Sequence, residues 1–212
     1  MDFSDVSTAV GWIAVVLGTA VAFTQYRRMS TRGVEGVSFA TWTLFIYVGI
    51  FWVVYGASVH SWQLVLGCSL TLPLQLLIWY RLRPWEKIPA NIYAFLFIVA
   101  CCLLPALAWG WAGAVVGVGI GGWITRGPQL IKLVRSRDAA GVSTSSWLTA
   151  GLVSGLWVVY YIGARLWPVM CVTAVGGSVS LVIAALASWR HRQTHGAASV
   201  VDFSPNLGAF DD

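Results

Sequence analysis

The side chains best suited to acid–base chemistry lie outside the apolar stretches of this sequence. The eight carboxylates are Asp2, Asp5, Glu35, Glu86, Asp138, Asp202, Asp211 and Asp212. The sequence shows no Ser/His/Asp set, no cluster with metal-ligand spacing and no phosphate-cradling loop. We therefore expect a protein that is not an enzyme and that holds neither a metal nor a cofactor.

Arg126 is a basic residue inside a long apolar stretch, two residues before Pro128. A charged group at membrane depth loses its hydration, so such a group is by default a functional hypothesis. Two alternatives stay open from the sequence. Either the guanidinium extends to the lipid headgroups at the near membrane surface, as long basic side chains do, or it faces an internal cavity and contacts an acidic solute.

Membrane-spanning helices must position these residues, because the sequence is too poor in charge to cover a water-facing surface. Of its 212 residues, 58% are hydrophobic and 10% are charged, whereas soluble domains carry about 25% charged residues. An α-helix needs about 20 apolar residues to cross a bilayer, and seven stretches qualify. They are Ser7 to Tyr26, Ser38 to Ser58, Trp62 to Tyr80, Pro89 to Trp109, Gly113 to Leu133, Ser143 to Ala164 and Pro168 to Trp189. The sequence predicts an all-α membrane protein of seven transmembrane helices in a single membrane domain, 1–212.

The basic residues predict the orientation of these helices. If the N-terminus is outside, Arg165 is the one residue among the thirteen Lys and Arg that falls on the outer side, which agrees with the positive-inside rule. We expect insertion in the cell membrane with the C-terminus cytoplasmic, and a first helix that is retained rather than cleaved as a signal peptide. The net charge of +5 then reflects topology, so the expected partner is the lipid bilayer and not nucleic acid. Self-association into a homo-oligomer is left open.

Two parts of the sequence repeat each other. Gln25, Gly36-Val37-Ser38, Trp42 and Trp52 recur as Gln129, Gly141-Val142-Ser143, Trp147 and Trp157. From the Gly-Val-Ser onward the offset is a constant 105 residues. Because three spans reverse the direction of the chain, two parallel three-helix bundles require a linking helix between them. The predicted units are a first repeat at 7–81, a linker helix at 89–109, a second repeat at 111–190 and a disordered tail at 191–212.

Glycines recur at every fourth residue of the predicted fifth helix, at Gly113, Gly117 and Gly121. Small residues at this spacing let two helix backbones approach closely. We expect this stripe to serve helix packing.

The repeated motif resembles the PQ-loop family and, within it, the SWEET sugar transporters. The second copy carries Pro128-Gln129 before a basic loop and the Gly-Val-Ser, whereas the first copy has Thr24-Gln25 at the equivalent place. The resemblance covers the chain from about Ser7 to Arg190. It implies two parallel three-helix bundles joined by a linking helix, with alternating access to a central site.

The motif residues of this family lie at the inner gate. By resemblance, Pro128 is a candidate hinge, because a proline inside a helix removes a backbone donor and bends the helix. Gln25 and Gln129 are expected at the gate side of the first and fifth helices. Thr24 replaces the proline in the first copy, so we expect the two halves to bend unequally.

The resemblance also implies a substrate pocket between a Trp on the second helix of each copy and a residue sixteen positions later. These positions are Trp52 with Cys68, and Trp157 with Thr173. Several SWEET transporters hold asparagine at the later position, where the amide donates to and accepts from sugar hydroxyls. This sequence keeps both Trp residues, whose faces suit a sugar's C–H edge, but has neither asparagine.

The resemblance implies a SWEET-like facilitative transporter, a uniporter that moves a small sugar or similar polar solute by alternating access. Since no predicted span contains a carboxylate, we expect no proton coupling. One alternative is a PQ-loop transporter of an amino acid or other small metabolite, which the missing asparagines and Arg126 favour. Another is a PQ-loop receptor that binds without transporting, whose sign would be a closed centre with no path through it.

Overall fold

The computed structural model describes residues 2–32, 39–124, 126–135 and 143–201, and in these ranges nearly every residue is helical and none lies in a β-strand. The elements are α1 (Phe3–Arg32), α2 (Phe39–Ser58), α3 (Trp62–Arg81), α4 (Ile88–Ile124), α5 (Gly127–Arg135), α6 (Thr144–Gly163) and α7 (Trp167–Val201), with a 3-10 turn at Pro84–Glu86. The predicted all-α class is confirmed for this part of the chain. Both repeats of the Gly-Val-Ser motif fall wholly or mostly outside the described residues, with Ser143 alone included.

Several of these helices can cross a membrane. Five segments are long and apolar enough, namely Phe3–Thr31, Trp62–Arg81, Ile88–Ile124, Thr144–Gly163 and Trp167–Gln193. Within α2, Trp42–Ser58 is a shorter apolar segment. Large apolar side chains remain on the outside of the fold, among them Leu107, which is 85% exposed. A surface of this kind needs an apolar environment, so the helices indicate insertion into a membrane.

The longest helix, α4, reverses its direction near the middle. Trp109 (φ −132°) and Gly110 (φ 56°) leave the helical region, and glycine takes the left-handed conformation at little steric cost. The first limb, residues 88–108, and the second limb, residues 111–124, therefore form a helical hairpin. The sequence predicts two separate helices here, and the hairpin turn is the connection between them.

The glycine stripe lies on the inside of this hairpin. A methyl group at Gly113 would overlap the carbonyl oxygen of Pro105, and one at Gly117 would overlap that of Cys101. A methyl group at Gly121 would lie 3.4 Å from the Cys101 sulfur. The stripe thus lets the two limbs pack backbone against backbone, and its predicted role in helix packing is confirmed.

The remaining contacts arrange the helices in two groups. In the first, α3 packs against both α1 and α2; in the second, α7 packs against α5, α6 and α4. Contacts of α1 with α6 and of α2 with α4 join the groups. The two groups of helices therefore lie against each other along α1 and α6 and along α2 and α4.

The turns after α2 and α6 have the same geometry, 105 residues apart in the sequence. His60 and Arg165 both take φ 55°, which is uncommon for residues other than glycine. The N–H groups of Ser61 and Leu166 each donate to the carbonyl five residues earlier, at 2.8 Å and 2.9 Å. This bond is characteristic of a Schellman helix end. The sequence repeat therefore has a counterpart in the backbone.

Two helices extend beyond the apolar stretches that predict them. The first continues to Arg32, because nothing in the basic segment after Tyr26 ends a helix. The last, α7, continues to Val201, so residues 191–201 of the predicted disordered tail are helical; this segment contains no proline. The rest of the tail, 202–212, lies outside the described residues.

Candidate functional site

A cavity of about 300 Å³ lies among α1, α2, α3, the second limb of α4, α6 and α7. Its volume is at the lower end of the range typical of small-molecule pockets. Trp52 and Cys68 line it from the first half of the chain, and Trp157 and Thr173 line it from the second half. The structure therefore brings all four predicted pocket residues to one cavity.

Residues at repeat-related positions line this cavity together. The related pairs include Trp52 with Trp157, Cys68 with Thr173, and Gly18 with Gly122. The two glycines were not singled out by the sequence analysis, although they are separated by 104 residues, the same offset as that between Gln25 and Gln129. Applying this offset to every residue of the first helix would have found them.

The two tryptophans are held by neighbouring rings. Trp157 stacks on Tyr161 with ring centroids 5.5 Å apart and planes inclined by 19°. Gly67 makes room for it, since a methyl group there would lie 3.1 Å from the Trp157 ring. Trp52 meets Phe51 and Tyr55 edge-on, at 5.1 Å and 5.9 Å. Both indoles are half-buried, so each has a fixed ring with part of its surface left toward the cavity.

Polar side chains on the cavity wall are few and largely bonded to their own helices. The Thr71 hydroxyl donates to the carbonyls of Gly67 at 3.2 Å and Cys68 at 3.0 Å. The Ser154 hydroxyl donates to the carbonyl four residues earlier at 2.8 Å. Because a hydroxyl has one proton, these oxygens can offer a solute only their lone pairs. Thr173 adds a hydroxyl, and Cys68 adds a thiol, which is a weak hydrogen-bonding group.

Arg126 lies on the wall of the same cavity. Its Nη1 donates to the carbonyl oxygen of Gly122 at 2.8 Å. In a helix, a carbonyl four residues earlier lies one turn back toward the start, so the guanidinium folds back along α4 instead of extending past its end. The structure therefore places Arg126 at the cavity wall, as the second of the two placements requires.

Two of the four predicted gate residues, Thr24 and Gln25, can be placed relative to the cavity. Thr24 is exposed and Gln25 is half-buried on α1, and neither is among the described residues that line the cavity. The backbones of Pro128 and Gln129 belong to α5, but their side chains fall outside the described part. The preceding helix ends at Ile124. In an unbroken helix the N–H of residue 128 would donate to the carbonyl of Ile124, but proline has no N–H. Since α1 runs unbroken past Thr24, only the second half has this interruption.

A hydrogen-bonded group closes the end of the fold near the turn after α2. The Tyr160 hydroxyl donates to Gln63 Oε1 at 3.1 Å and shares a hydrogen bond of 2.7 Å with Ser61 Oγ. The Tyr160 ring also lies against Gly11, where a methyl group would be 2.6 Å from it. This group joins α1, α3 and α6. The sequence analysis missed it, because Ser61 and Gln63 look like an ordinary helix start and nothing in their spacing points to a tyrosine almost 100 residues later.

Taken together, the described lining of the cavity offers indole rings, a few hydroxyl oxygens and the Arg126 guanidinium, and no carboxylate is among its residues. Such a site can bind a small polar solute by apolar contact and a small number of hydrogen bonds. No family model, no protein of known function and no solved structure matches this chain.

Proposed function

We propose that this chain is a SWEET-like facilitative transporter, a uniporter that moves a small sugar or similar polar solute across the cell membrane by alternating access. The observation that carries this proposal is the convergence of repeat-related residues from both halves, Trp52 with Trp157 and Cys68 with Thr173, on one cavity. Sites between two structural repeats are typical of secondary transporters.

The proposed topology has seven spans with the N-terminus outside. They are α1, α2, α3, the two limbs of α4, α6 and α7, with α5 continuing the second limb. The reversal at Trp109–Gly110 supports this count, because it divides one apolar helix of 37 residues into two spans. In this arrangement α1 to α3 form one three-helix bundle, the first limb of α4 is the linking helix, and the second limb with α6 and α7 forms the other.

The proposed conformation is open to the inside. Ser61, Gln63 and Tyr160 tie α3 to α6 at the outer end of the bundles, whereas Arg126 is at the opposite end of the cavity. The interruption before Pro128 gives the second bundle a place to bend. We retain Gln25 and Gln129 as proposed inner-gate residues on their motif positions.

Two other functions are compatible with the sequence. A carrier of an amino acid or other small metabolite is supported by the position of Arg126 on the cavity wall and by the missing asparagines. A receptor that does not transport is less well supported, because the centre of the described part holds a cavity of about 300 Å³ instead of a closed core.

The experiment is solute uptake into liposomes that contain the purified chain, with neutral sugars, sugar acids and amino acids tested in parallel. Trp157→Ala removes an aromatic wall of the cavity and should lower uptake of the transported solute by about fivefold or more, since aromatic contacts contribute on the order of 1 kcal/mol in addition to the area that they bury. Trp62→Ala is the matched control, because Trp62 is 67% exposed and outside the cavity. Uptake by Trp157→Ala equal to that by wild type would contradict the proposal.

A further inference from the structure

We infer that the transported solute carries a single carboxylate and that Arg126 is its anchoring contact inside the cavity. This inference rests on the proposed transport function and narrows its substrate to small monocarboxylates, for example a sugar acid in place of a neutral sugar. It draws on the charges around Arg126, on the direction of its side chain, and on the difference between the two halves of the cavity.

The charge of Arg126 has no opposite charge among the cavity walls that the structure describes. The described carboxylates lie elsewhere: Asp2 and Asp5 stand at the start of α1, and Glu86 pairs with Arg83 at 3.2 Å. A partly buried guanidinium is costly to leave uncompensated. A solute carboxylate would supply an opposite charge at the site where the solute binds.

The hydrogen bond to Gly122 fixes the guanidinium at the wall of the cavity. Gly122 has no side chain between its backbone and the guanidinium of Arg126. A methyl group at Gly122 would lie 3.5 Å from Nη1 of Arg126. The guanidinium has five N–H donors in one plane, and two parallel donors match the two oxygens of a carboxylate. One bond to a backbone carbonyl therefore orients the group while leaving it suited to bidentate binding of an anion.

The two halves of the cavity differ at this position. The residue related to Arg126 by the 104-residue offset is Ala22, so the repeat places one cation in the cavity and not two. The hydroxyl protons of Thr71 and Ser154 are bonded to their own helices, so these two groups do not compete with Arg126 as donors to an anion. A solute with one carboxylate and a compact body for the indole faces matches a single cation better than a dicarboxylate does.

The test compares three solutes of nearly equal size: glucose, glucuronate and the neutral amide of glucuronate. Uptake of each is measured in liposomes of zwitterionic lipid containing the full chain. Wild type should prefer glucuronate. Arg126→Gln should lower glucuronate uptake on the order of 10–100-fold, since hydrogen bonds to charged groups are lost, and should change uptake of the neutral pair by less than about threefold. Arg126→Lys, which keeps the charge but not the planar fork, should lie between.

Arg135→Gln is the matched control, because Arg135 is exposed at the end of α5 and outside the cavity; it should leave all three rates unchanged. Equal losses for glucose and glucuronate in Arg126→Gln would make Arg126 a structural residue and overturn the inference. Wild type that transports glucose at least as fast as glucuronate, with both rates unchanged in Arg126→Gln, would overturn it while leaving the proposed function intact. A third arm adds anionic lipid to the liposomes: if the lipid abolishes the glucuronate preference in wild type, a lipid headgroup occupies Arg126 and the inference fails. Failure of every solute to enter wild-type liposomes would overturn both.

Discussion

Removal of the Tyr160 hydroxyl tests the proposed outer closure. In Tyr160→Phe, α6 loses its hydrogen bonds to Ser61 Oγ and Gln63 Oε1, and the ring that packs against Gly11 is retained. Each such bond contributes about 0.5–1.5 kcal/mol. Ser61 is only 5% exposed, so its buried hydroxyl would lose the Tyr160 partner. The outer-closed state should therefore lose about 1–3 kcal/mol, which corresponds to a shift of about 5–150-fold toward outer-open states.

Cys68 provides the assay, because it lines the cavity and carries a thiol that a membrane-impermeant maleimide can label. The other cysteines, Cys101, Cys102 and Cys171, are first replaced by alanine. Labelling of Cys68 from the outer side of right-side-out vesicles should then be faster in Tyr160→Phe than in wild type, by a factor within that range. Labelling from the inner side should fall or stay the same.

Tyr55→Phe is the matched control, because it removes a hydroxyl at the repeat-related position and neither of these two bonds. An outer labelling rate that is the same in Tyr160→Phe, Tyr55→Phe and wild type would refute the reasoning. Equal acceleration by both substitutions would also refute it, because the effect would then come from loosened packing and not from the lost hydrogen bonds.

Two further predictions concern glycines. Gly117→Ala places a methyl group against the Cys101 carbonyl inside the α4 hairpin. It should therefore destabilise the protein by about 1–3 kcal/mol or more and lower the melting temperature in detergent. Gly155→Ala is the control and should change neither, because a methyl group at Gly155 would have no described atom of another helix within 4 Å. Gly18→Leu extends into the cavity, where the nearest side-chain atom to an added methyl is 4.0 Å away on Val153, so it should lower solute uptake by about tenfold or more at an unchanged melting temperature. Gly155→Leu is its control, and comparable uptake by both leucine variants would contradict the location of the pathway.

The sequence could identify candidate lining residues from the repeat and from the resemblance together. Trp52 and Trp157 share the 105-residue offset, and the spacing of sixteen residues that the resemblance implies adds Cys68 and Thr173. In two similar repeats, corresponding helices turn the same face inward. Residues related by the offset can therefore line one central space. The direction of the Arg126 side chain could not be predicted in the same way, because it depends on a local hydrogen bond to Gly122.

The limits of the sequence lie at helix ends and turns. Hydropathy locates the apolar part of α1 but not its end at Arg32, since a helix continues into water as long as its residues favour it. Hydropathy separates the two limbs of α4 at about Trp109, but it does not predict the backbone angles at Trp109 and Gly110 that turn the chain between them. The tie between Tyr160 and Ser61 joins residues 99 apart, and it forms because α1 packs against both α3 and α6.

Transport itself is tested most directly by counterflow in liposomes loaded with unlabelled solute. A uniporter with one cavity that opens alternately to each side predicts saturable exchange of external labelled solute, at a rate independent of a pH gradient. With the membrane potential held at zero, the net flux should stop when the two concentrations are equal. A solute that binds to the purified chain and is sensitive to Trp157→Ala, yet shows no exchange across the membrane, would contradict the account and identify the cavity as a binding site alone.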